Sequence, residues 1–398
     1  MAAKPKILIA GAGMGGLTAG AALLRAGYDV EIYEQAPELG EVGAGFQVSA
    51  NATRVLHALG LGSGLERIAA IPEGKVIRIW STGETWPLFD FDQAFVERYG
   101  YPYYTFHRAD LHELLVGAVR REKPDAIRLG HACAGFEQDG GGVTLKFDNG
   151  DEARGDALIG ADGVHSAIRA ALGHQDNPVF TGSMAWRGVL PADDLPEDRF
   201  PAVGTNWVGP GGHCITYRLR RGEIFNFVGI REKDWQVESW TARGSREEFL
   251  ADFEGWHEDI HYLIERIEEP YKWAIMVREP LESWTSGRVT LLGDACHAMV
   301  PMLAQGACAA IEDGYVLMRA FEAAGGAVEE ALGRYEGARH ERTSRMVLGS
   351  ADNARRFHDH TLADPSDAKE YVDREWRPER IFERYDWLFA YDATTATV

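Results

Sequence analysis

The sequence predicts an α/β fold in which an open sheet flanked by helices is interleaved with a second, strand-rich sheet and followed by a helical C-terminal region. Three observations predict it. A glycine-rich turn joins a strand pattern to a helix pattern at the N-terminus. Two later apolar strands, ending in Gly160-Ala-Asp162-Gly163 and Gly293-Asp294, each run into a helix start. The stretch from Thr181 to Tyr271 alternates in strand fashion and is rich in aromatic residues, among them Trp186, Trp207, Tyr217, Phe225 and Phe227. At 398 residues and 45% hydrophobic content, the chain can bury one large core or two joined ones.

The N-terminal unit is the most specific part. Lys6 to Ala10 (KILIA) reads as a strand, Gly11-Ala-Gly13-Met-Gly-Gly16 as a turn, Leu17 to Ala26 as a helix, and Tyr28 to Glu34 as a second strand. A GxGxxG string alone is weak, but strand, turn, helix and strand together make a Rossmann-type dinucleotide unit. Gly11 serves the tight turn, Gly13 the close approach of a pyrophosphate, and Gly16 the contact of helix on strand. The helix start turns free N–H groups and a positive dipole end toward the phosphates. Glu34, eighteen residues after Gly16, stands where a carboxylate accepts hydrogen bonds from ribose hydroxyls. Its charge opposes a 2′-phosphate, which leaves FAD or NAD as the nucleotide. The uncharged run from Ile7 to Leu24 imitates a signal or membrane segment, but its five glycines and the strand that follows argue for a soluble unit.

Further along, His107-Arg108-Ala-Asp110-Leu111 opens a helix pattern. Arg108 either reaches a phosphate or ring carbonyl, or pairs with Asp110. The segment Asp156 to Arg169 reads as a buried strand, a turn carrying Asp162 and Gly163, and a helix capped by His165 or Ser166. Arg288 to Asp294 is another apolar strand, whose terminal Asp294 is suited to accept from a sugar or ribityl hydroxyl. The helix beginning near Gly306 aims its positive end at the same crevice.

Composition excludes other classes. A formal charge of −20 without a basic cluster repels nucleic acid and anionic lipid. The four cysteines, Cys133, Cys214, Cys296 and Cys308, form no CxxC pair and no zinc pattern, so no metal is expected. They read as reduced packing residues of a cytoplasmic protein.

These motifs, in this order and spacing, resemble the single-component FAD-dependent aromatic hydroxylases, as in salicylate hydroxylase, 3-hydroxybenzoate 6-hydroxylase and 6-hydroxynicotinate 3-monooxygenase. The likeness runs from KILIAGAGMGG through EVGAGFQV, HRADLH, GADGVHSAIR and LLGDACHAMVPMLAQGACAAIEDG to the tail Arg384 to Leu388. It implies FAD as the tight cofactor, contacted by Glu34, Arg108, Asp162 and Asp294, with NADH or NADPH and O2 as co-substrates. It implies hydroxylation of a small phenolic or hydroxypyridine carboxylate through a flavin C4a-hydroperoxide, with or without loss of the carboxylate. His213 and Tyr217, four apart on one strand face, match a substrate-pocket HxxxY spacing in that family. The residues alone leave His213 open between a structural histidine and a pocket base; the resemblance favours the base. Gln47, Pro301 and Met302 are the expected substrate contacts, and they match no single member throughout.

The expected division is 1–72, 98–180 and 272–350 for the FAD unit, 73–97 and 181–271 for the substrate sheet, and 351–398 as a helical C-terminal segment. Ala327 to Arg356 has helical spacing, with Arg334, Arg339, Arg342 and Arg345 expected to face outward. The aromatic cluster Phe382, Tyr385, Trp387, Leu388 and Phe389 must be covered by this chain or by a twin, which motivates a homodimer. Rival readings are an NAD-dependent dehydrogenase and a non-catalytic binder of FAD or aromatic ligands with the same fold.

Overall fold

The computed structural model describes residues 4–40, 45–174, 177–237, 239 and 241–398. Its first sheet has six strands in the order Thr285–Ser286, Val289–Leu291, Ala157–Gly160, Lys6–Ala10, Asp29–Glu34 and Ile127–Leu129. All pair in parallel except the hairpin of the first two. The central strands are continuous apolar runs because they are buried throughout, with Ile7, Leu8, Ile9, Leu158 and Ile159 wholly inaccessible. Ala10 lies beside Gly160, and Gly160 beside Leu291. The glycine turn, the Asp162-Gly163 turn and the Gly293-Asp294 turn therefore leave the sheet side by side at one edge.

Close packing explains the glycines of the first crossover. Gly11 has φ +102°, and a Cβ there would lie 2.3 Å from the Ala161 carbonyl oxygen. A Cβ on Gly16 would lie 2.1 Å from the Gly11 oxygen, so helix Met14–Arg25 sits directly on the turn.

The second sheet has seven strands in the order Tyr271–Val277, Val179–Pro191, Ile224–Glu232, Gly212–Leu219, Val203–Gly209, Gly74–Ile79 and Thr85–Asp90. Only Val203–Gly209 and Gly74–Ile79 pair in parallel. Its far face packs Trp186, Trp207, Phe225 and Phe227 against Phe249, Phe253 and Trp256 around helix Arg246–Asp252. Of the aromatic residues that mark this stretch in the sequence, Tyr217 alone lines the cavity between the sheets.

Helix Val328–Phe357 continues the chain, followed by Pro365–Glu375 and Pro378–Phe389. The outward placement expected for Arg334, Arg339, Arg342 and Arg345 is corrected at two. Arg339 is fully buried, with Nη1 2.7 Å from Glu312 and Nε 2.6 Å from Asp313, and Arg342 pairs with Glu312 at 2.8 Å. Both face helix Gly306–Ala323, whose two adjacent carboxylates require buried countercharge. The aromatic tail packs on this chain: Tyr385, Leu388 and Phe389 are buried among Phe89, Phe91, Phe95 and Tyr103, while Phe382 stays exposed. No described helix is long and apolar enough to cross a membrane.

Candidate active site

The edge of the first sheet and the near face of the second enclose a cavity of about 390 Å³. Its floor is largely backbone, at Gly13, Gly163, Gly293 and Gly306. A side chain at Gly13 or Gly163 would meet nothing within 4 Å, and at Gly306 only Met299 at 3.9 Å. These positions leave open cradles where the starts of helices Met14–Arg25 and Gly306–Ala323 present N–H groups. Arg108, at the start of helix Arg108–Glu122, lines the cavity, as does Asp294. Burial lowers the Arg108 pKa, and the charge of Asp294 opposes that shift. Asp110 is engaged elsewhere, accepting both hydrogen bonds of Arg220 at 2.8 Å.

Four of the expected cofactor residues lie outside this lining. Gly11 and Gly16 act through packing, as described. Glu34 accepts from the backbone N–H groups of Ala12 and Ala36, each at 2.9 Å, which pins its carboxylate beneath the glycine turn. Asp162 turns its carboxylate onto the next helix, accepting from Ser166 Oγ and Ile168 N, while Ala161 and Gly163 beside it face the cavity. Ser166, one of the two expected caps, takes the N–H of Arg169.

The wall opposite is built by register. Tyr217 faces Asn226; Ile215 lies between Asn206 and Val228, and His213 between Val208 and Ile230. Successive side chains on a strand alternate faces, so His213, Ile215 and Tyr217 share the cavity side. His213 is buried and its Nδ1 lies 2.8 Å from Nε2 of His358, which closes the long helix. Burial, with His358 adding to it, holds His213 well below the usual imidazole range, and burial pushes the Tyr217 hydroxyl up. Pro301 and Met302 also line the cavity. Gln47 stands on strand Gly45–Val48 and accepts at Oε1 from Tyr103 (2.7 Å) and from Lys75 (2.9 Å).

Lys75, Asn206 and Arg187 line the cavity without being expected from the sequence, and Lys75 is the one with a charge that burial disturbs most. It is buried on strand Gly74–Ile79, lines the cavity, and is pushed by burial down to about 8. Its neighbour across the sheet is Gly204, where a Cβ would lie 3.2 Å from Lys75 Cγ. That gap lets the lysine lie across Val203–Gly209 toward the cavity. Asn206 joins the same wall, its buried amide oxygen making no hydrogen bond to described residues. The only sequence signal for either is a polar residue at an inward-facing strand position, and the inward parity of strands 74–79 and 203–209 is set by pairing far apart in the chain.

Beneath the floor, Asp313 accepts from Gly293 N (3.1 Å) and lies 2.6 Å from His297 Nε2, so the Gly293-Asp294 turn is tied to helix Gly306–Ala323. Asn51 donates to Glu312 at 2.6 Å, and Gln305 donates to Ser49 at 2.9 Å, fixing that helix start.

An open backbone cradle at the edge of a parallel sheet, two helix starts, and the Arg108 and Asp294 side chains beside them fit an elongated dinucleotide with a flavin ring, while Lys75 and Arg187 also line the cavity. Residues 4–350 match the family model described as FAD binding domain. The chain is 38% identical to a 3-amino-4-hydroxybenzoate 2-monooxygenase of Streptomyces platensis, over 98% of this chain and 97% of that one. It is 37% identical to a 3-hydroxybenzoate 6-hydroxylase of Polaromonas naphthalenivorans, over 97% and 96% respectively. The crystal structure of Klebsiella pneumoniae HpxO complexed with FAD and uric acid matches with TM-score 0.82 at 28% identity, over 95% of this chain and 96% of that one. Matched along nearly its whole length, the chain belongs to the FAD-dependent aromatic monooxygenases of the FAD-binding-domain family.

Proposed function

We propose that the protein hydroxylates a small aromatic or pyridine carboxylate bearing a ring hydroxyl, using NAD(P)H and O2. Family membership removes the dehydrogenase reading. A single observation carries the substrate class: one wall of the cavity holds a buried imidazole, a phenol and an ammonium together, opposite the backbone cradle. FAD, when bound, would pass electrons from NAD(P)H to O2 and so supply activated oxygen to the substrate. Glu34, Arg108, Asp294 and the backbone at Gly13, Gly163 and Gly306 would hold it, with Gly11, Gly16 and Asp162 shaping the turns that contact it.

The protein side chains divide the remaining work. The ring becomes a strong nucleophile only when its hydroxyl loses its proton, and His213 accepts that proton while Tyr217 holds the oxygen in place. Lys75 pairs with the substrate carboxylate, and Gln47 positions Lys75 through its 2.9 Å bond. Met302, Pro301, Ile215 and Ile230 give the cavity apolar walls that keep water from the reacting centre. The division 1–72, 98–180 and 272–350 against 73–97 and 181–271, with 351–398 as the C-terminal segment, follows the same reading, except that strand Tyr271–Val277 pairs with the substrate sheet.

The test is oxygen uptake with NADH and NADPH over salicylate, 3- and 4-hydroxybenzoate, aminohydroxybenzoates, hydroxynicotinates and urate, with product identification. One hydroxybenzoate or hydroxynicotinate is expected to be hydroxylated. His213→Ala is expected to retain FAD and to slow that hydroxylation about a hundredfold. Oxidation of urate alone, or unchanged turnover in the variant, would overturn the reading.

A further inference from the structure

The residue assigned as base is poorly placed to keep a proton. His213 is almost wholly buried, and burial with His358 disfavours its charged form. A proton arriving there must move on. The structure provides a next acceptor in line: His213 Nδ1 lies 2.8 Å from His358 Nε2, and His358 Nδ1 lies 3.3 Å from Glu232 Oε1. The Glu232 side chain is 48% exposed and that of His358 only 5%, so the chain of three leads from the cavity to solvent.

Tautomers follow from its outer end. An ionised Glu232 only accepts, so a neutral His358 carries its hydrogen on Nδ1 and offers Nε2 as a lone pair. The 2.8 Å bond then requires the hydrogen on Nδ1 of His213. The lone pair of His213 is left on Nε2, which has no hydrogen-bond partner among the described residues, on a ring that lines the cavity. Backbone bonds hold the three segments together: Gly211 N donates to the His358 carbonyl at 3.0 Å, and Glu232 N donates to the Gly211 carbonyl at 2.9 Å. Phe357 packs on the His213 ring at 5.0 Å between centroids.

We propose that His213, His358 and Glu232 form a proton relay joining the substrate hydroxyl to solvent. The substrate O–H bond breaks as His213 Nε2 takes the proton; the Nδ1 hydrogen of His213 passes to His358 Nε2; the Nδ1 hydrogen of His358 passes to Glu232. One proton leaves the ring hydroxyl and one reaches the exposed carboxylate, with no net charge left on either imidazole. The reverse transfer, as the product ring regains its hydroxyl hydrogen, restores both tautomers. Arg231 and His360 also face His358, and both disfavour a proton resting on it, while Glu232 favours one. His358 is thus a positioning and relay residue, and it does not touch the substrate.

The relay rests on the phenol-binding reading of the cavity, and the test separates the two. A chromophoric phenol, 3-hydroxy-4-nitrobenzoate, is mixed with the FAD-loaded enzyme in weak buffer containing an indicator dye. Phenolate formation and proton appearance in solvent are followed together by stopped flow. In the wild type, both are expected to rise together. His358→Ala is expected to bind the probe and to slow both signals about tenfold or more, with added imidazole restoring the rate. Glu232→Gln is expected to slow proton appearance with His358 still present. Failure of the wild type to bind and ionise the probe overturns the site reading and the relay with it. Equal rates in the wild type and His358→Ala, or slowed rates that imidazole does not restore, overturn the relay alone.

Discussion

At the scale of single residues, Lys75 is the position whose replacement discriminates most sharply. Among the described residues its ammonium donates to one side chain, Gln47 Oε1, and lies 5.8 Å from the Tyr103 ring centre; neither carries a charge to neutralise it. A buried cation held by a neutral acceptor leaves room for a charged one, and a carboxylate in the cavity supplies it. Lys75→Met keeps the length of the side chain and removes the charge. The ratio of kcat/KM for a hydroxybenzoate over the same phenol without its carboxylate is expected to fall about thirtyfold, or about 2 kcal/mol. An unchanged ratio would place the carboxylate elsewhere. His213 and Tyr217 are legible in the sequence because alternation puts both on one face of one strand. Lys75, Asn206 and His358 are not, since each arrives from a different segment: residue 75 lies across Gly204 by a parallel pairing, and residue 358, at the end of a helix, meets His213 from behind the cavity wall. No local period reports such meetings.

At the scale of elements, the first crossover and the three strand ends at its edge can be read directly, because each is a local strand-turn-helix with its own composition. The facing of the long helix cannot. Spacing marks Leu332, Tyr335 and Ala338 as apolar and leaves the arginines to the other side, yet Arg339 follows Tyr335 by four and turns inward with it. The sequence does hold the missing signal, in Glu312-Asp313 on a helix that is otherwise apolar at those positions, but matching it to Arg339 requires the contact itself. Burial acts against charge on Glu312 and Asp313, but the arginines and His297 hold both carboxyls below their ordinary values. Arg339→Met removes the central cation while Arg342 and His297 remain. It is expected to destabilise the folded protein by about 3 kcal/mol. A denaturant midpoint equal to that of the wild type would show that the two remaining partners suffice.

At the scale of the whole molecule, the imidazoles set the response to acid. Burial, the leading cause in each case, lowers the pKa of His57, His107, His112, His213 and His358. His297 differs: burial opposes its charge, but Cys296 and Asp313 raise it well above the ordinary value. A group whose folded value is depressed leaves stability intact above its unfolded value, about 6.5 for histidine, because neither state then binds the proton. Below that, the unfolded chain takes up protons that the folded one refuses, and stability declines as pH falls toward the folded values. His297 has the opposite sign: its contribution is full below about 6.5 and is lost as pH rises through its raised value. Asp162, raised by burial, offsets part of the acid loss at the carboxylate end of the range, where the lowered Glu312 and Asp313 add to it. Below about 6.5 the His297 contribution no longer changes, so the five lowered imidazoles decide the direction there. The FAD-loaded protein is therefore expected to lose melting temperature steadily between about pH 6.5 and 5, before the carboxylates titrate. The His358→Gln variant, which removes one refused proton, is expected to show a shallower decline over that interval. Calorimetric scans that give the same melting temperature at both ends of the range would mean that the buried imidazoles take up protons without cost, and the neutral His213–His358 pair would lose its physical basis.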